Sequence, residues 1–187
     1  MTLTTIDPTP ALVVIDLQKG LLAGAGPAVA AVAEPAARLA AAFRRHGLPV
    51  VLVNVTGRAP GRTEGARAGG GVPSSPGWAE LIEELDVRPS DHLITKRRRS
   101  AFHDTGLDTL LRDLGVTQVV LAGISTSAGV ESTARSASDH GYHVVLATDA
   151  MADREVADHR HSVERVFPKI GETATTAEVV AMIGATR

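Results

Sequence analysis

Four largely apolar runs constrain this chain most: Ala11–Ile15, Pro49–Val55 (interrupted only by Asn54), Gln118–Ala122 and Tyr142–Ala147. Strands that alternate in polarity have one wet face, whereas continuous branched runs of this length belong to strands covered on both sides. Helical patterns lie between them. Pro27–His46 places Val29, Val32, Ala36, Leu39, Ala40 and Phe43 near helical spacing, with Pro35 as a kink or restart and Gly47 as a stop. Thr105–Leu114 ends at Gly115, and Val130–His140 ends at Gly141. With no period-two hairpins, the pattern predicts an α/β fold whose sheet is mostly parallel. Shorter features complete it: a helix over Trp78–Leu85, a strand over His92–Thr95, a polar turn over Asp149–Asp153 and a helix over Asp158–Phe167 stopped by Pro168. A sixth extended piece at Glu172–Ala174 and a closing helix at Thr176–Ile183 follow. With 187 residues, no repeat and no linker, one domain over 1–187 is expected.

The stretch Val119–Thr133, VVLAGISTSAGVEST, reads as a strand ending in glycine, a small-residue turn and the start of a helix. Amides at such an elbow point outward at the positive end of a helix dipole, so an anion or oxyanion can be held there by backbone alone. Gly129, at its centre, has no functional group.

Ligands of such sheets bind beyond the carboxyl ends of the strands, near the point where strand order reverses. Asp16, Lys96 and the elbow each follow a strand, so the spacing predicts that they converge on one crevice. An acid and a lysine held together in a partly dry site shift one another's proton affinity and suit proton transfer. The same spacing is compatible with an ordinary ion pair or with two unrelated exposed charges. The long loop Thr56–Gly77, rich in glycine and proline, reads either as a mobile solvated insertion or as a cover for the site, with Arg58, Arg62 and Arg67 then available to an anionic substrate. The Lys96–Arg99 basic run reads as a solvated edge or a subunit contact.

Several chemistries are excluded or disfavoured. No cysteine is present, so disulfides, thiolate metal sites and a thiol nucleophile are ruled out. His159 and His161 fall on different helix faces, so a catalytic metal is not expected. The G-x-S-x-G elbow and the glycine-rich nucleotide loops are missing. A net charge of −2 and few aromatic residues argue against nucleic acid and anionic membrane. No apolar run approaches the ~18 residues of a membrane span. A cytoplasmic protein acting on a small molecule, without cofactor, is the expectation.

Taken in order, LVVIDLQKG, KRRRSAF followed by HDTGLDTLL, and LAGISTSAGVESTARSA resemble the isochorismatase-like hydrolase superfamily, from about Ala11 to Ile183. The resemblance implies a Rossmann-like, three-layer α/β/α fold with six strands, commonly in homodimers or homotetramers. Cysteine-dependent members use an Asp, Lys and Cys triad; Asp16 and Lys96 match the first two, and Gly129 stands where the cysteine would be. The family's cis peptide maps to Ile124–Ser125, and its oxyanion donors to the amides of Ser125 and Gly129. The metal-binding residues that nicotinamidases carry after the second strand have no counterpart here.

Acyl-thioenzyme chemistry is impossible for this chain. Isochorismatases, which also resemble it in having glycine at that position, imply hydrolysis of a vinyl ether, with the acid protonating the methylene carbon and water attacking the oxocarbenium ion. By that analogy Asp16 is the general acid, Lys96 tunes it, Gln18 lines the pocket, and Gly129 leaves room for substrate or water. The alternatives are an inactive binding or scaffold protein, and an isomerase or lyase using the same pair.

Overall fold

The computed structural model describes residues 3–64 and 75–185. Six strands form one sheet: β1 (Pro10–Ile15), β2 (Val50–Val55), β3 (His92–Lys96), β4 (Gln118–Ile124), β5 (His143–Ala152) and β6 (Glu172–Ala174). Their order is β3-β2-β1-β4-β5-β6, and every neighbouring pair is parallel. From β1 the chain builds outward through β2 and β3, then crosses back to β4. The β1/β4 boundary is therefore where strand order reverses, and the carboxyl ends there open a crevice.

Alternate residues of β1 explain its uninterrupted apolar run. Leu12 and Val14 pack with Ala36, Leu39, Ala40 and Phe43 of one layer, while Ala11, Val13 and Ile15 pack with Leu107, Leu111, Val130 and Ala134 of the other. All six β1 residues are buried, as a central parallel strand requires. The first layer holds the short turns α1 (Lys19–Leu22) and α2 (Pro27–Ala30), with α3 (Ala33–Arg45) and α7 (Thr176–Ala185). Its α3 residues 36, 39, 40 and 43 form the i, i+3, i+4, i+7 stripe that faces a sheet. On the opposite side lie α4 (Leu107–Asp113), α5 (Glu131–Asp139) and α6 (Val156–His161).

Four local expectations change. The helix expected over Pro27–His46 is two helices, and Pro35 sits in the first turn of α3, where a missing N–H costs nothing. Trp78–Leu85 is not a helix. Its carbonyls are taken by the segment after β1, with Lys19 N donating to Glu80 O and Gly20 N to Trp78 O; Leu81 bridges Gln18, and one 3₁₀ turn closes at Glu83–Leu85. The polar Asp149–Asp153 stretch is not a separate turn: Asp149–Ala152 is the end of β5, and Asp153 directly follows it. Pairing passes from Leu121↔Leu146 to Gly123↔Met151 across a bulge. Both its carboxylates cap other elements: Asp149 accepts from Thr176 N and Oγ1 at the start of α7, and Asp153 from Ser127 N and Oγ. Lastly, Pro168 lies inside a 3₁₀ turn, Phe167–Lys169, after α6 has already passed into a π turn at Ser162–Val166.

Beside β3, Arg44 of α3 clamps Asp91 through Nε at 3.0 Å and Nη2 at 2.7 Å, and also reaches Leu85 O. Asp91 is almost fully buried. No helix among the described residues is long and apolar enough to cross a membrane.

Candidate active site

The Asp16 carboxylate stands one residue beyond β1, on the floor of the crevice. Its backbone adopts a left-handed conformation, φ +55°, which aspartate tolerates better than most residues. The turn is held by Asp16 N donating to Val53 O and Gln18 N to Asp16 O. Across it Gly123, φ +110°, brings β4 so close that a Cβ there would lie 2.0 Å from Ile15 O; only glycine fits.

Lys96, the last residue of β3, reaches across the end of β2 to place Nζ 2.7 Å from Asp16 Oδ2 and 3.2 Å from Arg98 O. Both side chains are almost fully buried. Among the described residues Asp16 Oδ1 has no hydrogen-bond partner. Burial raises the Asp16 carboxyl to about 6, against the opposing influence of Lys96.

The third arm is the elbow after β4. The Ile124–Ser125 peptide is cis, and a π turn, Thr126–Val130, runs into α5. Ser125 O accepts from the amides of Ala128 and Val130. The amide of Ser125 has no protein acceptor among the described residues. Behind the turn, Thr126 Oγ1 lies 2.9 Å from His159 Nδ1, and Ser127 is spent on Asp153. Burial lowers the proton affinity of His159, with Asp153 acting the other way.

A Cβ built on Gly129 would sit 3.0 Å from Ile15 Cγ2 and 3.2 Å from both Asp16 Oδ2 and Ile124 O. A side chain at Gly129 would thus be tight against its neighbours, and Gly129 itself lines the crevice. The missing side chain lets the elbow backbone close onto Asp16, and any substrate must lie above it in the crevice.

That crevice encloses about 520 Å³ and is lined by Asp16, Lys96, Ser125, Ala128, Gly129, Arg58, Arg62, Arg98 and Arg99, among others. The three features expected to converge do so, and Arg58 and Arg62 line the wall. Arg67 lies outside the described residues. Gln18 is not a lining residue. It is fully buried, with Nε2 donating to Val55 O and Trp78 O and Oε1 accepting from Val55 N, so its amide staples three segments together. Arg98 and Arg99 were missed as site residues. The available signal was their place just beyond Lys96 on the loop leaving a strand's carboxyl end. Among the described residues no group of three or more His, Cys, Asp or Glu is arranged to hold a metal.

Residues 10–178 match the model of the isochorismatase domain family. The chain belongs to the isochorismatase family. It is 38% identical over 182 residues to an uncharacterized isochorismatase family protein, YwoC, of Bacillus subtilis, covering 92% of this chain and 93% of that one. An isochorismatase family structure from Burkholderia thailandensis superposes with a TM-score of 0.90 at 36% identity, covering 96% and 98% of the two chains. Maleamate amidohydrolase of Pseudomonas putida is 29% identical over 187 residues, covering 93% of this chain and 86% of its own. This isochorismatase-family chain is thus similar to hydrolases and shares their six-stranded α/β fold.

Proposed function

We propose that this chain hydrolyses a small anionic vinyl ether by general acid catalysis from Asp16. The observation that carries the reading is the buried Asp16 carboxyl: one oxygen on Lys96, the other without a partner among the described residues, its proton affinity raised into the range a working acid needs. Protonated Asp16 gives its proton to the terminal methylene carbon, and the C=C electrons form that C–H bond. The ether oxygen stabilises the resulting cation. Water adds to the cationic carbon and loses a proton, and the hemiketal collapses to a ketone and a free alcohol. Asp16 recovers a proton from solvent.

Lys96 stabilises the carboxylate left after proton transfer. The Ser125 and Gly129 amides are donors for an oxygen that gains charge as the hemiketal breaks down. The arginines on the wall meet the substrate's anionic groups. With no cysteine in the chain, the acyl-thioenzyme route of amide hydrolysis is closed to it.

Purified protein screened against vinyl ethers, amides and imides in ¹⁸O-water tests this. Vinyl ether turnover with solvent oxygen in the ketone is expected, lost at least ~100-fold in Asp16→Asn and Lys96→Ala proteins that still fold. Wild-type-like turnover in either variant rejects the assignment, and a product without solvent oxygen points to isomerase or lyase chemistry instead.

A further inference from the structure

The crevice is assembled from three segments distant in sequence, and one buried hydroxyl joins two of them. Thr133, on the first turn of α5, is fully buried. Its Oγ1 donates to Gly129 O at 2.7 Å and accepts from Ala101 N at 3.0 Å. Gly129 belongs to the elbow. Ala101 ends the segment that begins at Lys96, and within that segment Lys96 Nζ donates to Arg98 O. The contacts form one connected path: Asp16 to Lys96, along the chain to Ala101, and through Thr133 to Gly129, which lines the crevice beside Asp16.

Thr133 is the one side chain in that path that belongs to neither the acid–lysine pair nor the elbow. Its neighbour Ser136 adds a parallel but weaker tie, accepting from Ser100 Oγ at 2.8 Å in a half-buried position. A helical threonine commonly returns its hydroxyl proton to the carbonyl four residues earlier. What is unusual here is that its remaining lone pair takes an amide from another segment.

We infer that Thr133 is a positioning residue that fixes the distance between the elbow and the Lys96–Ala101 segment, and so keeps water away from Asp16. The inference rests on the site proposed above, but not on any particular substrate. Removing the hydroxyl leaves Ala101 N and Gly129 O without their partner, and a buried group in that state draws in water. Because burial outweighs Lys96 in setting the Asp16 proton affinity, hydration moves that affinity down.

The test is a ¹³C NMR titration of the Asp16 carboxyl, which reads the site without turnover. Thr133→Val is expected to lower the Asp16 midpoint by about one unit or more, while Thr133→Ser, which keeps the hydroxyl, restores the wild-type value. Thr133→Cys, with a weak donor in similar volume, takes the place of the valine variant if that does not fold, and is expected to move the midpoint the same way. Tyr142→Phe, which removes the bond from Tyr142 Oη to Asp108 Oδ1 at the far end of the sheet, controls for lost stability and is expected to leave the midpoint unchanged. An unchanged Asp16 titration in the folded valine or cysteine variant overturns the inference. Failure of the acid reading shows separately, as turnover surviving in Asp16→Asn.

Discussion

An acid that must give up a proton deep in a cationic crevice has to be protonated first, and for Asp16 burial supplies the proton's affinity while Lys96 limits it. The sign of the resulting pH dependence follows from which form works. If the carboxylic acid is the active species, its fraction is near one below the midpoint of about 6 and declines above it. The expected kcat/KM is level on the acid side and falls about tenfold per pH unit above that midpoint. A profile that instead rises through this range identifies the carboxylate as the working form, and Asp16 as a base. Replacing Lys96 by Met removes the influence that lowers the affinity, so the Asp16 midpoint is expected to move up, seen in the same carboxyl titration.

Gly129 is the other residue whose chemistry can be tested alone. A side chain there meets Ile15, Asp16 and Ile124 at 3.0–3.2 Å, so neighbours must yield by a few tenths of an ångström. Gly129→Cys is expected to give a folded protein whose new thiol reacts with iodoacetamide faster than a cysteine placed at exposed Val156. A thiol no more reactive than that control shows that the elbow does not present position 129 to the Asp16–Lys96 pair.

Among the elements, β3 has the most exposed construction and the most demanding task. It is an edge strand paired only with β2, with Leu93 turned to solvent, yet it must hold Lys96 in place. The Arg44–Asp91 clamp anchors the turn that leads into it. Because both charges are largely removed from water, cutting one leaves the other unpaired. Asp91→Ala is expected to cost about 3 kcal/mol of stability, read as a lower urea midpoint at unchanged slope. A loss below about 1 kcal/mol shows the clamp to be an ordinary surface pair.

The same scale shows what could be read from residues in advance. Continuous apolar runs revealed β1, β2, β4 and β5, because strands buried on both faces carry no competing signal. Asp16 and the elbow were legible because each directly follows such a run, and Lys96 because it follows the shorter strand pattern His92–Thr95. Trp78–Leu85 misled because its backbone bonds go to residues 17–20, a partner about sixty positions away that local pattern cannot reveal. Asp149 and Asp153 looked like a turn, since sequence shows their polarity but not the amides of Thr176 and Ser127 that satisfy them. Gln18 was close to Asp16 in sequence yet turned inward, because the unpaired end of β2 needed both a donor and an acceptor.

For the molecule as a whole, charge is unevenly placed in a way that bears on substrate capture. The chain carries a net charge of −2, which weakly repels an anion approaching at random. Its crevice, however, is lined by Arg58, Arg62, Lys96, Arg98 and Arg99 against the single carboxylate of Asp16. Concave walls concentrate that local field, so the mouth attracts what the rest of the surface does not. Arg62 and Arg99 are exposed, and their reach into solvent is set by the screening length, about 10 Å at 0.1 M salt and shorter above it. Lys96 and Asp16 are buried, where screening is weak. Salt should therefore separate capture from chemistry. Raising NaCl from 20 mM to 500 mM is expected to raise KM for an anionic substrate about three- to tenfold while kcat stays nearly constant. Arg62→Ser should give a smaller rise in KM at low salt and a flatter salt dependence. Steady-state kinetics at several ionic strengths check this, and a KM indifferent to salt removes the arginines of the wall from substrate recognition.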